Sequence, residues 1–361
     1  MPQSFPLAAS ARIDTQAFVH NMKLLAGLVP WAEMLPMMKA NAYGHGVLEL
    51  AGLVERTVPK LYGIGVATLE EAIALRACVG SEIIVFSSPF QYDQIPVYKK
   101  YRLTPVIATR DALRAYMRGG ARMPYELQWN TGMHRMGLGP EDMQYVRRCQ
   151  VAPRSVFTHL AMSDQVKASR LQIERFKEIL AVCGGAKCHV ANSGGIWNRK
   201  ALGLEAHTSI VRPGVSLYGV RPWFEADQGG LRPVMKLVAP VVARHNLRPG
   251  DHVGYGGAFV AKRPMSCAIL GIGYGDGLMR ALAAKGRVFL DGKMRPFLGT
   301  ISMDLCAVAC GPETRIGHMA EIFGSKIDIW DQACAAGTIA YEFMTGVSHR
   351  VHREFTRKKI P

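Results

Sequence analysis

A chain of 361 residues, 49% hydrophobic and 20% charged, is long enough for two domains and has the balance of a globular enzyme. No stretch approaches the roughly 18 uninterrupted apolar residues of a membrane span, and the start MPQSFPLAASARID has no export-signal pattern, so a cytoplasmic protein is expected. The net charge of +16 is spread along the chain, apart from a short terminal cluster (Arg350, Arg353, Arg357, Lys358, Lys359), and predicts a surface attractive to anionic ligands rather than a nucleic-acid reader.

From residue 34 short apolar runs alternate with segments of helical period. MLPMMK (34–39) precedes a predicted helix starting near Val47. LYGIGVA (61–67) leads into TLEEAIALRACVG, where Thr68 and Glu71 form a capping box and Gly80 is placed to end the helix. EIIVFS (82–87), TPVIAT (104–109), YELQW (125–129), SVFTHL (155–160), KCHVAN (187–192) and TSIVRPG (208–214) complete eight strand candidates. Such alternation predicts a parallel sheet with crossover helices, and eight units fit a closed (β/α)₈ TIM-like barrel. A doubly wound open sheet is the competitor, but no GxGxxG turn follows the first strand.

After about residue 230 the texture becomes β-rich, in LRPVMKLVAPVVARHNL, SCAILGIGYG, GRVFLDGKMRPFLG and DLCAVAC. Asp291-Gly292 is a hairpin signal, and one late helix is expected around 333–344. The division is therefore 1–230 for the barrel and 231–361 for a mostly antiparallel β domain. The first ten or so residues are candidates to pair with the second part. Eight cysteines stand singly, without zinc-ligand spacing, and read as reduced, mostly buried thiols; no metal is expected.

Barrel enzymes carry their active sites at the carboxyl ends of the strands. That edge holds Lys39, Gln128 to Arg135, His159, Asn192-Ser193 and Arg212-Pro213-Gly214. A lysine there beside arginines has a depressed pKa, as Schiff-base chemistry requires. On position alone, a snorkelling or ion-paired lysine is the slightly favoured reading. His159 could be a satisfied structural residue, and Arg212-Pro213-Gly214 a plain turn.

PMMKANAYGHG resembles the cofactor-lysine motif of the alanine racemase family. The resemblance continues in order through YGIGVATLEEAIALR, NTGMHRMGL, HTSIVRPGVSLYGV, VGYGGAF, GIGYGDG, GTISMDLC and GTIAYEFMTGVSHRVHREF. It implies a barrel and a β domain in a homodimer acting on a small amino acid, with L- and D-alanine as the substrates. It also implies that Lys39 binds pyridoxal 5′-phosphate covalently and acts as one base, while Tyr255, otherwise an ordinary turn aromatic, is the opposite base in the partner's site. Two bases on opposite faces are what racemisation needs.

By the same resemblance His159 tunes the tyrosine and Arg212 faces the pyridine nitrogen. Tyr43, Ser193 and the backbone around Gly214 and Val215 hold the phosphate. Arg135 and the Met303 backbone meet the substrate carboxylate, Tyr274 lines the entrance, and Asp304 is structural. Three departures stand out. Gln128 replaces a carbamylated lysine, Asn130 an aspartate, and His349 the tyrosine beside the phosphate. A chloride between Gln128 and Arg135, or Glu126 one pleat deeper, is expected to answer the arginine's charge.

Two other readings share the resemblance's chemistry. A broad-specificity racemase of the same fold is one; a non-enzymatic single-barrel carrier of the cofactor is the other, against which the second domain speaks.

Overall fold

A computed structural model describes residues 8–86, 90–119, 122–149, 152–181, 183 and 186–356. Strand β1 (Ser10–Ile13) belongs to the second half of the molecule and is taken up there. The barrel strands are β2 (Glu33–Met34), β3 (Ile64–Val66), β4 (Ile83–Val85), β5 (Leu103–Ile107), β6 (Glu126–Gln128), β7 (Ser155–Phe157), β8 (Lys187–His189) and β9 (Ile210–Val211). From β3 to β8 they run parallel in chain order, and β2 pairs in parallel with β9. Bridges Met34↔Leu61, Met37↔Gly65 and Asn192↔Arg212 link these two groups, closing the ring. All eight strand candidates are present. Each is shorter than its apolar run, and in β2, β7 and β8 regular pairing is confined to the start of the run.

The β-branched residues Ile83, Ile84 and Val85 are fully buried, as expected of a parallel strand covered on both faces. Between β3 and β4, Thr68 caps the helix Leu69–Arg76 in the expected capping box with Glu71. That helix stops short of Gly80. Arg76 turns its guanidinium onto the carbonyls of Val79, Ser81, Tyr101 and Arg102, which satisfies the chain beyond the helix without another turn.

The second half is built on the long strand β10 (Met235–Leu247). It pairs antiparallel with β1, with Met319–Phe323 and with Met265–Leu270. The sheet continues through Cys306–Cys310, Lys293–Leu298 and Arg287–Leu290. Asp291 and Gly292 join the last two as a hairpin with positive φ at both positions (50° and 74°). On its other side β1 lies parallel to His352–Phe355, so both ends of the described chain share this sheet.

The expected late helix is two helices, Ile329–Ala336 and Ala340–Gly346, divided by Gly337 in the left-handed conformation. The cysteines are free, but only Cys267 and Cys306 are buried; the other six are half-buried or exposed. Among the described residues no helix is long and apolar enough to cross a membrane. Arg357, Lys358 and Lys359 of the basic cluster lie outside the described residues, as do residues 1–7.

Candidate active site

Lys39 stands just past the bridge Met37↔Gly65, where the chain leaves the barrel. The four residues after it, Ala40 to Tyr43, all have φ between 51° and 54°, a turn of left-handed helix made without glycine. Such residues cost roughly 1–2 kcal/mol each, so the surroundings must hold them. Glu71 accepts from the Ala40 N–H at 2.6 Å and from the Ala67 N–H at 2.7 Å. The buried His45 directs Nδ1 at the carbonyls of Ala42 (3.0 Å) and Tyr43 (2.9 Å), so that nitrogen donates. Asn41 Oδ1 accepts from the Val47 N–H at 2.8 Å and ties the turn to the next helix. The clamp fixes the direction in which Lys39 leaves the backbone.

The lysine side chain is half-buried at the wall of a cavity of about 400 Å³. Burial lowers its pKa, the nearby Arg135 lowers it further, and Glu71 partly opposes both. Arg212 forms the floor. Its buried guanidinium donates to His189 Nδ1 (2.6 Å), the His189 carbonyl (3.0 Å) and the Thr158 carbonyl (2.8 Å), and lies 4.9 Å over the Phe157 ring. Burial brings its pKa down to about 10, which still leaves it charged at neutral pH. His159 Nδ1 is 3.5 Å from the same guanidinium. Burial, then Arg212, Arg135 and Lys39, push its pKa down to about 3, so the ring is neutral.

The same cavity is also lined by a cradle of backbone. Ser193 opens the short helix Ser193–Trp197, with Asn192 as its cap, and Ser193 Oγ accepts from the N–H of Gly214 at 3.0 Å. A Cβ on Gly214 would fall 2.5 Å from Tyr43 Oη, and one on Gly194 would fall 2.1 Å from Ser163 Oγ. The N–H groups of Gly194 and Val215 have no acceptor among the described residues. Free amides, a hydroxyl and a phenol around a space that a methyl group would fill are suited to a phosphate. An amine of lowered pKa at one end and an anion cradle at the other fit pyridoxal phosphate.

Of the expected site residues, the cavity brings together Lys39, Tyr43, Arg135, His159, Ser193, Arg212, Gly214 and Val215. Tyr255, Tyr274 and Met303 do not line it. They gather on the second half of the molecule, where the Tyr274 N–H donates to the Ser302 carbonyl and Thr300 Oγ1 to the Tyr255 carbonyl. Tyr255 is 78% exposed. Asp304 pairs with Arg350 at 2.7 Å, a structural contact of that same surface.

His349 is a correction. Its ring is exposed and does not reach the cavity, because Ser348 N–H docks on the Asp276 carbonyl and turns this segment outward. The residues that do arrive from this end of the chain are Tyr341 and Thr345 of the helix Ala340–Gly346. Tyr341 stands 6.2 Å from the Tyr43 ring. Their i, i+4 spacing was the available signal.

Gln128 donates to the Met136 carbonyl at 3.3 Å, which leaves the expected chloride without support. Glu126 shares its face as strand alternation requires, but it goes to His189 (3.3 Å) rather than to Arg135.

Residues 13–222 match the family described as alanine racemase, N-terminal domain, and residues 234–355 match alanine racemase, C-terminal domain. The alanine racemase of Aeromonas hydrophila is 33% identical over 96% of this chain and 99% of its own length, and that of Actinobacillus succinogenes is 32% identical with the same coverage. Among solved structures, the biosynthetic alanine racemase of Pseudomonas aeruginosa superposes with a TM-score of 0.89 at 29% identity, over 97% of this chain and all of the other. The Bartonella henselae alanine racemase with covalently bound pyridoxal phosphate gives 0.88 at 28% identity, over 97% of this chain and 99% of its own. With both halves matched in order, and a barrel mouth shaped for a phosphate and a reactive lysine, the chain belongs to the alanine racemase family.

Proposed function

We propose that the protein interconverts L- and D-alanine with pyridoxal phosphate held at Lys39, and that it does so as a cytoplasmic homodimer. The observation that carries this reading is the cavity itself, with Lys39 at one wall, the Ser193–Gly214 cradle at the other and the charged Arg212 beneath. The relatives named alanine racemases favour alanine over a broader substrate range. Free cysteines accord with a reducing compartment. We place the division between the barrel and the β domain at residues 230 and 231.

When bound, pyridoxal phosphate supplies an electron sink that makes the α-proton of alanine labile. The chain's own residues do the rest. Tyr43, Ser193 and the amides near Gly214 and Val215 anchor the phosphate and so fix the ring. Arg212, charged and donating, would meet the ring nitrogen and keep it from taking a proton, which would favour return of the α-proton over side reactions. Arg135 draws the substrate carboxylate. Lys39, its pKa lowered, takes or returns a proton at Nζ on one face.

Tyr255, the base expected for the second face, does not line this chain's own cavity. Tyr255, exposed on the β domain beside Tyr274 and Met303, is placed to enter the site of a second copy. There it would move a proton at Oη with the neutral His159 as neighbour, and Met303 would offer its backbone N–H to the carboxylate.

Mixing variants tests this arrangement. Lys39→Ala and Tyr255→Phe each leave a homodimer with two defective sites. A mixed dimer has one site with both bases intact. Co-folding equal amounts should restore about one quarter of the native rate. No recovery, with mixed dimers verified by tagging, would rule out a shared site.

A further inference from the structure

The buried guanidinium of Arg212 has no carboxylate in an ion pair with it among the described residues. Its contacts are imidazole nitrogens, carbonyl oxygens and the Phe157 face, all neutral. A guanidinium removed from water is strongly disfavoured unless a charge answers it.

The barrel interior holds one candidate, Glu126, which is fully buried on β6. Neither of its oxygens accepts a well-formed hydrogen bond among the described residues, yet His189 Nε2 stands 3.3 Å from Oε2. His189 is likewise fully buried, stacked 4.5 Å from the Phe157 ring. Its Nδ1 lies 2.6 Å from Arg212. A guanidinium has donors only, so Nδ1 accepts, and a neutral imidazole then carries its proton on Nε2. Burial first, then Arg212, push the His189 pKa down to about 4, so the ring is not a second cation. The Nε2–H faces two acceptors, Ser155 Oγ at 2.9 Å and Glu126 Oε2.

We propose that Glu126 is a positioning residue: through the Nε2–H tautomer of His189, its carboxylate supplies the charge that holds Arg212 toward the cavity. This rests on the reading that Arg212 faces the cofactor ring. With the carboxylate gone, Arg212 still keeps the proton on Nε2, but that N–H loses its charged partner and Nδ1 becomes a weaker acceptor for the guanidinium.

Glu126→Gln keeps the volume and an oxygen acceptor but removes the charge, and Ser155→Ala removes the rival acceptor. Glu126→Gln should lower kcat about 10- to 100-fold while KM for alanine changes little. Ser155→Ala should change kcat by about threefold or less. In cofactor-free protein, nitrogen NMR should find His189 protonated at Nε2 in both the native chain and Glu126→Gln, with both ring-nitrogen resonances clearly shifted in the variant as the charged partner is lost. Glu126→Asp, which keeps the charge, should return part of the native shifts and part of kcat.

Unchanged His189 nitrogen resonances in Glu126→Gln overturn the proposal. So do shifts as large in Ser155→Ala alone, which would make the serine the partner. The NMR arm needs neither cofactor nor turnover, so failure of this relay is distinguishable from failure of the racemase reading.

Discussion

The two poles of the proposed site are built differently. Around Lys39 everything is buried and pre-set: a left-handed turn clamped by Glu71 and His45, an arginine packed under the cavity, and an imidazole held neutral at His159. Around Tyr255 the chain is open, and the phenol sits on a surface turn that the same molecule does not cover. A buried pole shifts pKa values through desolvation before any ligand arrives. An exposed pole acquires its environment only when another surface closes over it. On the proposed reading, one half of the chemistry is intrinsic to the fold and the other is conditional on assembly.

The contrast is sharpest when each pole is removed in turn. Lys39→Ala should lose covalent cofactor, read as the visible absorbance band, and lower activity by at least about 10³-fold. Tyr255→Phe should keep the band and bind cofactor normally. It should slow proton exchange from one enantiomer more than from the other, by about 10²-fold or more. Retention of the band in Lys39→Ala would move the cofactor to another lysine, and equal losses for both enantiomers would break the division of labour.

The rigidity of the buried pole can be probed without touching a base. Gly214→Ala would put a Cβ about where the Tyr43 hydroxyl already is, 2.5 Å away, so the cradle must open. Cofactor affinity should fall about 10- to 100-fold with little change in the fold, measured by equilibrium titration. Undiminished affinity would mean that the phosphate is held elsewhere.

A smaller effect follows from the buried imidazoles. His45 and His189 lie near pKa 4 and His159 near 3, below the usual 6.5. Between those values and 6.5 the unfolded chain binds protons that the folded chain refuses, so stability rises with pH across this window. Their contribution is complete above about pH 6.5 and is lost progressively on acidification toward pH 4. Denaturant titrations should show this slope, and His45→Gln should flatten it. Tyr255→Phe, at the exposed pole, should leave it unchanged.

Much of this is legible in the sequence. Eight apolar runs separated by helical segments predict a closed parallel barrel, because parallel strands are buried on both faces and cannot alternate. The Thr68–Glu71 box and the Asp291-Gly292 turn are local and came out as expected. Lys39 at the end of an apolar run pointed to the barrel mouth. Local chemistry also misled. Gly80 does not end its helix, since the distant carbonyls reached by Arg76 do, and a single late helix is broken at Gly337.

What the sequence determined by itself was the order of elements, the residue types at the strand ends and the family resemblance, all of which depend on neighbours along the chain. Which of those residues meet was decided in three dimensions. The left-handed turn at Ala40–Tyr43 contains no glycine and exists only because Glu71 and His45 hold it. Tyr341 rather than His349 comes beside Tyr43, because a loop docked on Asp276 turns the histidine away. Glu126 turns to His189 and not to Arg135, since the side chain one pleat below the mouth meets an inward-facing residue of β8, two strands along, and not the loop above it. Spacing along a strand specifies a face; only packing across the barrel specifies the partner on that face.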